Sequence, residues 1–199
     1  MEIMYMKAQK QEKTNVMRLL DAAGISYRVQ EYEVDENDLS GIHVANQIGE
    51  DPDSVFKTLV LKGEKRGYLV CCIPVAEELD LKKVARAVGD KKVEMLPMKE
   101  LLPTTGYIRG GCSPIGMKKK FPTYIEETAI LFDEIAVSAG IRGAQVILNP
   151  EDLKAYTEAE YASLTVEWPH SSGMFAAVKQ RKLRICLAIC WSFMEKKKR

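Results

Sequence analysis

The sequence predicts an α/β (α+β) domain in which helices pack outside a mixed, barrel-like β-sheet. About seven strand-like runs and four or five helix-like runs follow one another without regular βαβ alternation, which favours a mixed sheet. Two of the strand-like runs are joined by the turn-like pentapeptide GEKRG, which predicts a hairpin. The chain has 199 residues, of which 46% are hydrophobic and 29% charged, so it is long enough to bury a core.

Helices are predicted where apolar residues recur at helical spacing between residues that mark helix ends. The run TNVMRLLDAAG (14–24) has Thr14 as a candidate N-cap and Gly24 just past its last turn, and DLKKVARAVG (80–89) repeats this signature. Further helices are predicted in GIHVANQIG (41–49), PMKELLP (97–103) and PEDLKAYTEAEYA (150–162). The side chains expected to face the core are Val16, Leu19, Leu20, Ala23, Ile42, Ala45, Ile48, Leu81, Val84, Ala85 and Val88.

Strands are predicted where apolar or β-branched residues alternate or run together between turn residues. In ISYRV (25–29) the alternation slips before Tyr32 and Val34, which is consistent with a bulge. Cys71 and Cys72 are adjacent in a strand and should face opposite sides of the sheet. The other strands are predicted in VFKTLVLK (55–62), GYLVCCIPV (67–75), KVEML (92–96), TYIEE (123–127), DEIAVSAG (133–140) and AQVILNP (144–150).

Charge divides the chain into a main body and two ends. We expect an extension over residues 1–12, one domain over 13–166, and a basic extension over 167–199 outside the core fold. Residues 1–166 carry 26 acidic and 21 basic side chains, whereas residues 167–199 carry 2 and 8. The basic extension fits an amphipathic surface helix, a partner-docking helix or a disordered segment. The main body should meet a polyanion only through a local basic patch.

The sequence also argues against several function classes. We expect no signal peptide, and no run reaches the ~18 consecutive apolar residues of a membrane-spanning helix. The five cysteines have no framework spacing, which indicates reduced thiols and a cytoplasmic protein. Two histidines without a CxxC pair argue against zinc, and neither a P-loop nor a GxSxG motif occurs.

The stretch RGGCSPIGMKKKFP (109–122) offers two kinds of chemistry. Cys112 as a nucleophile would need a base, and the sequence places neither His43 nor His170 to act as one. The pair Gly110–Gly111 instead allows backbone N–H groups to approach a carbonyl oxygen or a phosphate closely. The loop is therefore predicted to bind rather than to attack.

Charged side chains supply the remaining candidates. Lys57 lies in a strand beside Thr58, where it either snorkels to solvent or points into a cleft to hold a phosphate or polarise a carbonyl. The segment 138–143 offers a hydroxyl and amides at a strand end. Lys118, Lys119 and Lys120 either meet a nucleic-acid backbone or form a solvated rim. The carboxylates expected to face solvent are Glu126, Glu127, Asp133 and Glu134.

Taken in order, these segments resemble the YbaK/EbsC family of aminoacyl-tRNA deacylases, within a superfamily that includes the editing domain of bacterial prolyl-tRNA synthetases. The resemblance runs from residue 13 to about 165, and the GGCSPIGMKK loop together with FKTL is its most specific part. The motifs fit the branch that acts on Cys-tRNA(Pro). The segments that carry it are KTNVMRLLDAAGI, YEVD, VFKTLV, PVAEELDLKKVARAVGDKKVEM, TGYIRGGCSPIGMKKKFPTYIEE and VSAGIRGAQVILNPEDL.

The resemblance implies hydrolysis of the ester between a mischarged cysteine and the tRNA 3′ end, without cofactor or metal. It implies that Lys57 is the catalytic residue and that the substrate thiol attacks its own ester carbonyl. Prolyl-tRNA synthetase is an implied partner, and Lys118, Lys119 and Lys120 are expected tRNA contacts. The family often has an acid at the position of Gln145. The residues expected to bind substrate are Tyr32, Thr58, Gly110, Gly111, Cys112, Ser113, Ser138, Gly140 and Gln145.

Three alternatives stay open on the sequence. The first is an Ala-tRNA(Pro) deacylase in which water attacks the ester. The second is a non-catalytic module that binds aminoacyl-tRNA or a nucleotide. The third is a thiol enzyme that uses Cys112.

Overall fold

The computed structural model describes residues 12–166, in which two β-sheets are flanked by five α-helices. The predicted extension 167–199, and all but the last residue of the extension 1–12, lie outside the described residues. The domain boundaries therefore stay a prediction. Within residues 12–166, no helix is both long enough and apolar enough to cross a membrane.

The helices are α1 (Asn15–Ala23), α2 (Gly41–Ile48), α3 (Leu81–Val88), α4 (Met98–Thr105) and α5 (Pro150–Thr157), with a 3₁₀ turn at Glu127–Leu131. The strands are β1 (Tyr27–Glu31), β2 (Phe56–Gly63), β3 (Gly67–Pro74), β4 (Val93–Met95), β5 (Thr123–Glu126), β6 (Ile135–Ser138), β7 (Ala144–Leu148) and β8 (Glu160–Ala162).

The two sheets confirm the predicted mixed α/β fold class. One is antiparallel, with the order β1-β7-β6, and the other has the order β4-β2-β3-β5-β8 with parallel β3–β5 and β5–β8 pairs. The predicted hairpin is β2–β3. The sheets meet at a bridge between Val55 and Ala136, and in residues 12–166 they stay two sheets rather than one closed barrel.

The core lies on both faces of the β2–β3 hairpin. Cys72 belongs to the cluster that also holds Val16 and Leu20 of α1, whereas Cys71 belongs to the cluster under α3. The prediction that these cysteines face opposite sides is confirmed. Of the predicted inward residues, Ala23, Ile42 and Leu81 are exposed, and Met17 and Val44 are buried without having been predicted.

Two predicted helix ends and one predicted bulge were wrong. The last helix ends at Thr157 and β8 follows, because parallel pairing with β5 overrides the helix propensity of EAEYA. The helix predicted to end at Pro103 continues to Thr105. In place of a bulge, β1 ends at Glu31, and the Tyr32 N–H donates to the Gly143 carbonyl at 2.9 Å.

Glu126 is buried, which contradicts the expectation that it faces solvent. Its side chain is 3% exposed, and its Oε2 accepts the N–H groups of Leu164 at 2.6 Å and Thr165 at 3.1 Å. Asp133 and Glu134 are exposed, as expected. The Glu126 carboxylate thus holds the chain after β8, which is also bridged to Leu79 through Thr165.

Candidate active site

A pocket with a volume of about 420 Å³ lies where residues of both sheets come together. Its walls include residues from the segments 32–35 and 38–44, from the first half of β2, from 95–101 and from the loop 109–112. The structure brings seven of the sequence-predicted site residues to this pocket. They are Tyr32, Lys57, Thr58, Gly110, Cys112, Ser138 and Gln145.

Lys57 is fixed on β2 by two backbone carbonyls. Its Nζ donates to the Val75 oxygen at 3.2 Å and to the Glu77 oxygen at 2.6 Å. Both acceptors lie where the chain leaves β3, so the hairpin that places the lysine also orients it. An ammonium has three N–H donors, and these two bonds leave one for a substrate.

Opposing effects act on the charge of Lys57. Burial lowers the pKa of its ammonium, and the carboxylates of Glu78 and Glu77 partly oppose this shift by favouring the charged form. Burial raises the pKa of Glu77 as well. A cation in such a partly desolvated place interacts more strongly with negative charge than a lysine in bulk water does.

Polar groups from three strands share the pocket with Lys57. The Thr58 hydroxyl is 4.0 Å from the sulfur of buried Cys72. The Ser138 hydroxyl accepts the Gly140 N–H at 3.2 Å and so stabilises the turn that follows β6. Gln145 is 7% exposed, and its Oε1 has no hydrogen-bond partner within residues 12–166. A buried oxygen without a hydrogen-bond donor is energetically unfavourable, and a ligand that donates to it would remove this cost. The Gln145 amide is therefore a candidate ligand contact.

The loop 109–112 brings backbone to the pocket. Gly110 has φ +82°, a conformation that glycine adopts without strain. The Gly111 N–H is already used, because it donates to the Ile108 carbonyl at 3.1 Å. Within the described chain, the N–H groups of Gly110 and Cys112 make no such bond. Both residues line the pocket, so their amides are candidate donors to a ligand.

Cys112 lines the pocket as a neutral thiol. Burial raises its pKa to about 12, so the thiolate that nucleophilic attack requires is disfavoured. His43 lines the same pocket, but its Nε2 is 2.6 Å from the amide nitrogen of Gln47. That amide is fixed by two bonds to the backbone of Glu33, so it donates to Nε2 and occupies it. His43 is not placed as the base that Cys112 would need.

Replacement of Cys112 by alanine should leave the ester hydrolysis that the resemblance implies within about threefold of wild type, since a thiol held neutral supplies no attacking group. The measurement is the steady-state deacylation rate of the variant beside wild type. A loss beyond about a hundredfold with an unchanged circular dichroism spectrum would establish Cys112 as a nucleophile.

Six of the sequence-predicted site residues do not line the pocket. Ser113 is fully buried, and its Oγ accepts the Ile115 N–H at 3.3 Å within the loop. Gly111 and Gly140 are packing positions where a Cβ would meet backbone at 3.1 Å and a Val16 methyl at 2.9 Å. The remaining three are exposed lysines outside the pocket, Lys118, Lys119 and Lys120, the last of which pairs with Glu158.

The sequence reasoning missed two sets of pocket residues. One is apolar and partly exposed, and the other is acidic. Apart from Leu101, which lies within α4, their members lie in loops or near element ends. Ile42 follows a helical pattern, and its exposure is a signal that appears only after folding. The apolar set is Leu39, Ile42, Met95, Met98 and Leu101, and the acidic set is Glu33, Asp35 and Asp38.

Comparison with known proteins gives consistent results. The family profile of the aminoacyl-tRNA editing domain matches residues 41–156. An Enterococcus faecalis protein named "Putative Cys-tRNA(Pro)/Cys-tRNA(Cys) deacylase EbsC" is 49% identical over 161 residues, which cover 81% of this chain and 98% of that protein. A proline–tRNA ligase of Thermosipho melanesiensis is 24% identical over 151 residues, 70% of this chain and 26% of the ligase.

A solved structure is similar over most of the described residues. It is a crystal structure described as that of "a putative trans-editing enzyme for prolyl tRNA synthetase". The TM-score is 0.68 at 27% identity, covering 76% of this chain and 95% of that one. The similarity therefore extends to the arrangement of the two sheets and not only to local motifs.

Proposed function

The chain belongs to the aminoacyl-tRNA editing domain family, and on this premise we propose that it is a trans-editing deacylase of mischarged Cys-tRNA(Pro), active also on Cys-tRNA(Cys). The observation that carries the proposal is the pocket, in which a fixed lysine shares space with amide and hydroxyl groups while the cysteine is held neutral. Such a site stabilises charge on a substrate but supplies no activated nucleophile from the described residues. The attacking group then comes from the substrate or from water.

The proposed reaction uses the thiol of the cysteinyl group. Its sulfur attacks the carbonyl carbon of its own ester, the new C–S bond closes a small cyclic thioester, and the bond to the ribose oxygen breaks. The thiol proton ends on that oxygen, which leaves as the free tRNA hydroxyl. Water then opens the thioester to cysteine. Holding the reacting groups together supplies up to ~7–11 kcal/mol of barrier reduction in such internal attacks.

The residues of the pocket hold this substrate and stabilise the charge that forms. The free N–H of Lys57 and the amides of Gly110 and Cys112 are donors for the developing oxyanion, and each such donor is worth ~3–4 kcal/mol where it has been removed elsewhere. Thr58, Tyr32 and Ser138 shape the wall, and the Gln145 oxygen accepts a hydrogen bond from the substrate amine. Gly111, Ser113 and Gly140 support the loops that carry these contacts.

The substrate and partner follow from the same premise. The domain proposed for residues 13–166 is acidic overall, so Lys118, Lys119 and Lys120 supply the local positive charge for the tRNA acceptor end. Prolyl-tRNA synthetase is the partner that would deliver mischarged tRNA. The extensions 1–12 and 167–199 lie outside this catalytic domain, and the activity belongs in the cytoplasm, where tRNA is charged.

The proposal is tested by measuring wild-type hydrolysis of Cys-tRNA(Pro), Ser-tRNA(Pro), Ala-tRNA(Pro) and Cys-tRNA(Cys). The serine ester is the matched control, because it replaces only the sulfur with oxygen. We expect the cysteinyl esters to be cleaved and the seryl and alanyl esters to react at least ~10²-fold more slowly, since they lack the thiol that makes the attack internal.

Other outcomes separate the alternatives. Preference for the alanyl ester would contradict the thiol mechanism and support attack by water. Binding of all four tRNAs without turnover would show a binding module and overturn the enzymatic proposal.

A further inference from the structure

We propose that Arg142 is a positioning residue that joins the two walls of the pocket from outside it. One wall is the segment 32–36, and the other is the loop 109–111. The inference rests on the proposed function, because it assigns Arg142 a part in holding the site where that chemistry occurs. Arg142 itself touches no reacting group.

The side chain of Arg142 reaches both walls at once. It lies in the turn between β6 and β7, and its Nη1 is 2.8 Å from each carboxylate oxygen of Glu36. Its Nε donates to the Arg109 carbonyl, also at 2.8 Å. Val34 and Asp35, next to Glu36, line the pocket, as do Arg109 and Gly110 on the other side. The Arg142 side chain therefore lies outside the pocket and links the two segments that form its walls.

The backbone around Arg142 is packed against the same two walls. A Cβ at Gly111 would lie 3.1 Å from the backbone of the turn 141–143, and one at Gly110 would lie 3.3 Å from the Arg142 Nε. On the other wall, the Tyr32 N–H donates to the same turn at 2.9 Å. Both walls thus pack against the turn 141–143. The Arg142 side chain adds hydrogen bonds to Glu36 and to the Arg109 carbonyl.

Arginine is suited to this role because its planar guanidinium offers donors in several directions. It can face a carboxylate with one edge and a carbonyl with Nε. The Arg142 side chain is 25% exposed and Glu36 is 70% exposed, so water screens the carboxylate contact, and the bond to the Arg109 carbonyl fixes the guanidinium from the other side. A lysine would place a single nitrogen there and could not reach both acceptors in the same way.

The consequence concerns the amides of the loop. Gly110 and Cys112 line the pocket, and their N–H groups are the donors that the proposed function assigns to the oxyanion. Displacement of such groups by about 1 Å can lower a rate ~10²-fold. Loosening the loop should therefore affect the chemical step more than substrate binding. Loosening the segment 32–36 alone should affect binding, because Tyr32 and its neighbours form a wall and no oxyanion contact.

The experiment compares Arg142→Ala, Arg142→Lys and Glu36→Ala with Arg28→Ala. Arg28 is the matched control, since it also bonds two acceptors, Glu50 and Glu134, but lies away from the pocket lining. Arg142→Ala and Arg142→Lys should lower kcat for Cys-tRNA(Pro) ~10–100-fold with a smaller change in KM. Glu36→Ala should mainly raise KM, and Arg28→Ala should match wild type.

Hydrogen exchange separates this role from general stability and from the proposed function. In Arg142→Ala the amides of residues 32–36 and 108–112 should exchange faster, while those of α3 stay unchanged. Wild-type kcat in either Arg142 variant, or a loss accompanied by faster exchange throughout the domain, would overturn the positioning role. If wild type cleaves no ester, the proposed function fails, and the exchange of the two walls still decides whether Arg142 joins them.

Discussion

Replacement of Lys57 by methionine should lower kcat/KM for Cys-tRNA(Pro) by about 10²–10³-fold, the loss seen when one oxyanion donor is removed from an enzyme. Methionine keeps much of the apolar stem, so packing on β2 changes little, but the ammonium that bonds Val75 and Glu77 is gone. The effect should fall mainly on kcat, because the charge it stabilises develops during the reaction. Single-turnover deacylation measures it directly.

Lys62→Met is the control for this experiment. Lys62 lies on the same strand but is exposed and sits over the ring of Tyr68, away from the pocket lining. Its replacement should leave the rate unchanged. Equal activity of the Lys57 and Lys62 variants would refute a catalytic role for Lys57, and Tm values of both variants exclude unfolding as the cause of a lower rate.

The pH dependence of the same residue gives a second measurement. Burial lowers the Lys57 pKa, so the ammonium is lost below the pH of ~10.4 at which an ordinary lysine titrates. Activity that depends on the ammonium falls as the pH rises through this lowered value. An arginine at this position stays charged over the same pH range. The ratio of wild-type to Lys57→Arg rates should therefore decline with rising pH, and a constant ratio up to the ordinary lysine range would contradict the assignment.

The fold was predictable where local signals agree with tertiary packing. The helices α1 and α3 are N-capped by Thr14 and Asp80, whose side chains accept backbone N–H groups of the first turn, and each is followed by a glycine in the left-handed conformation. The position of Lys57 was only partly predictable. Its place in a β-branched strand left open whether it snorkels to solvent or points into a cleft, and the structure shows it in the pocket lining.

Features that depend on distant partners were not predictable in this way. The sequence around β8 favours a helix, and only the parallel partner β5 makes it a strand. Ile42 follows the inward spacing of α2 but is 47% exposed, because the pocket opens beside it. The Arg142–Glu36 contact joins residues 106 positions apart, and no local pattern encodes such a pair.

The burial of Glu126 was likewise not predictable from the sequence, and its contacts give the second large prediction, which concerns stability. Glu126→Ala should lower the free energy of unfolding by about 3 kcal/mol, because the N–H groups of Leu164 and Thr165 lose a charged acceptor in a largely buried place. For a domain of this size that corresponds to a fall in Tm of roughly 6–12 °C. Glu126→Gln should cost less, since an amide oxygen still accepts both N–H groups without the negative charge.

The exposed Asp133 supplies the control, and Asp133→Ala should leave Tm nearly unchanged. The segment that Glu126 holds is also tied to the residues before α3, through the Val166 N–H to the Glu78 carbonyl at 2.9 Å and the Asp80 N–H to the Leu164 carbonyl at 2.8 Å. Loss of stability in Glu126→Ala would therefore show that the folded unit extends to residue 166, as the predicted boundary requires. A Tm equal to that of Asp133→Ala would place residues 164–166 outside the cooperative unit and the boundary before them.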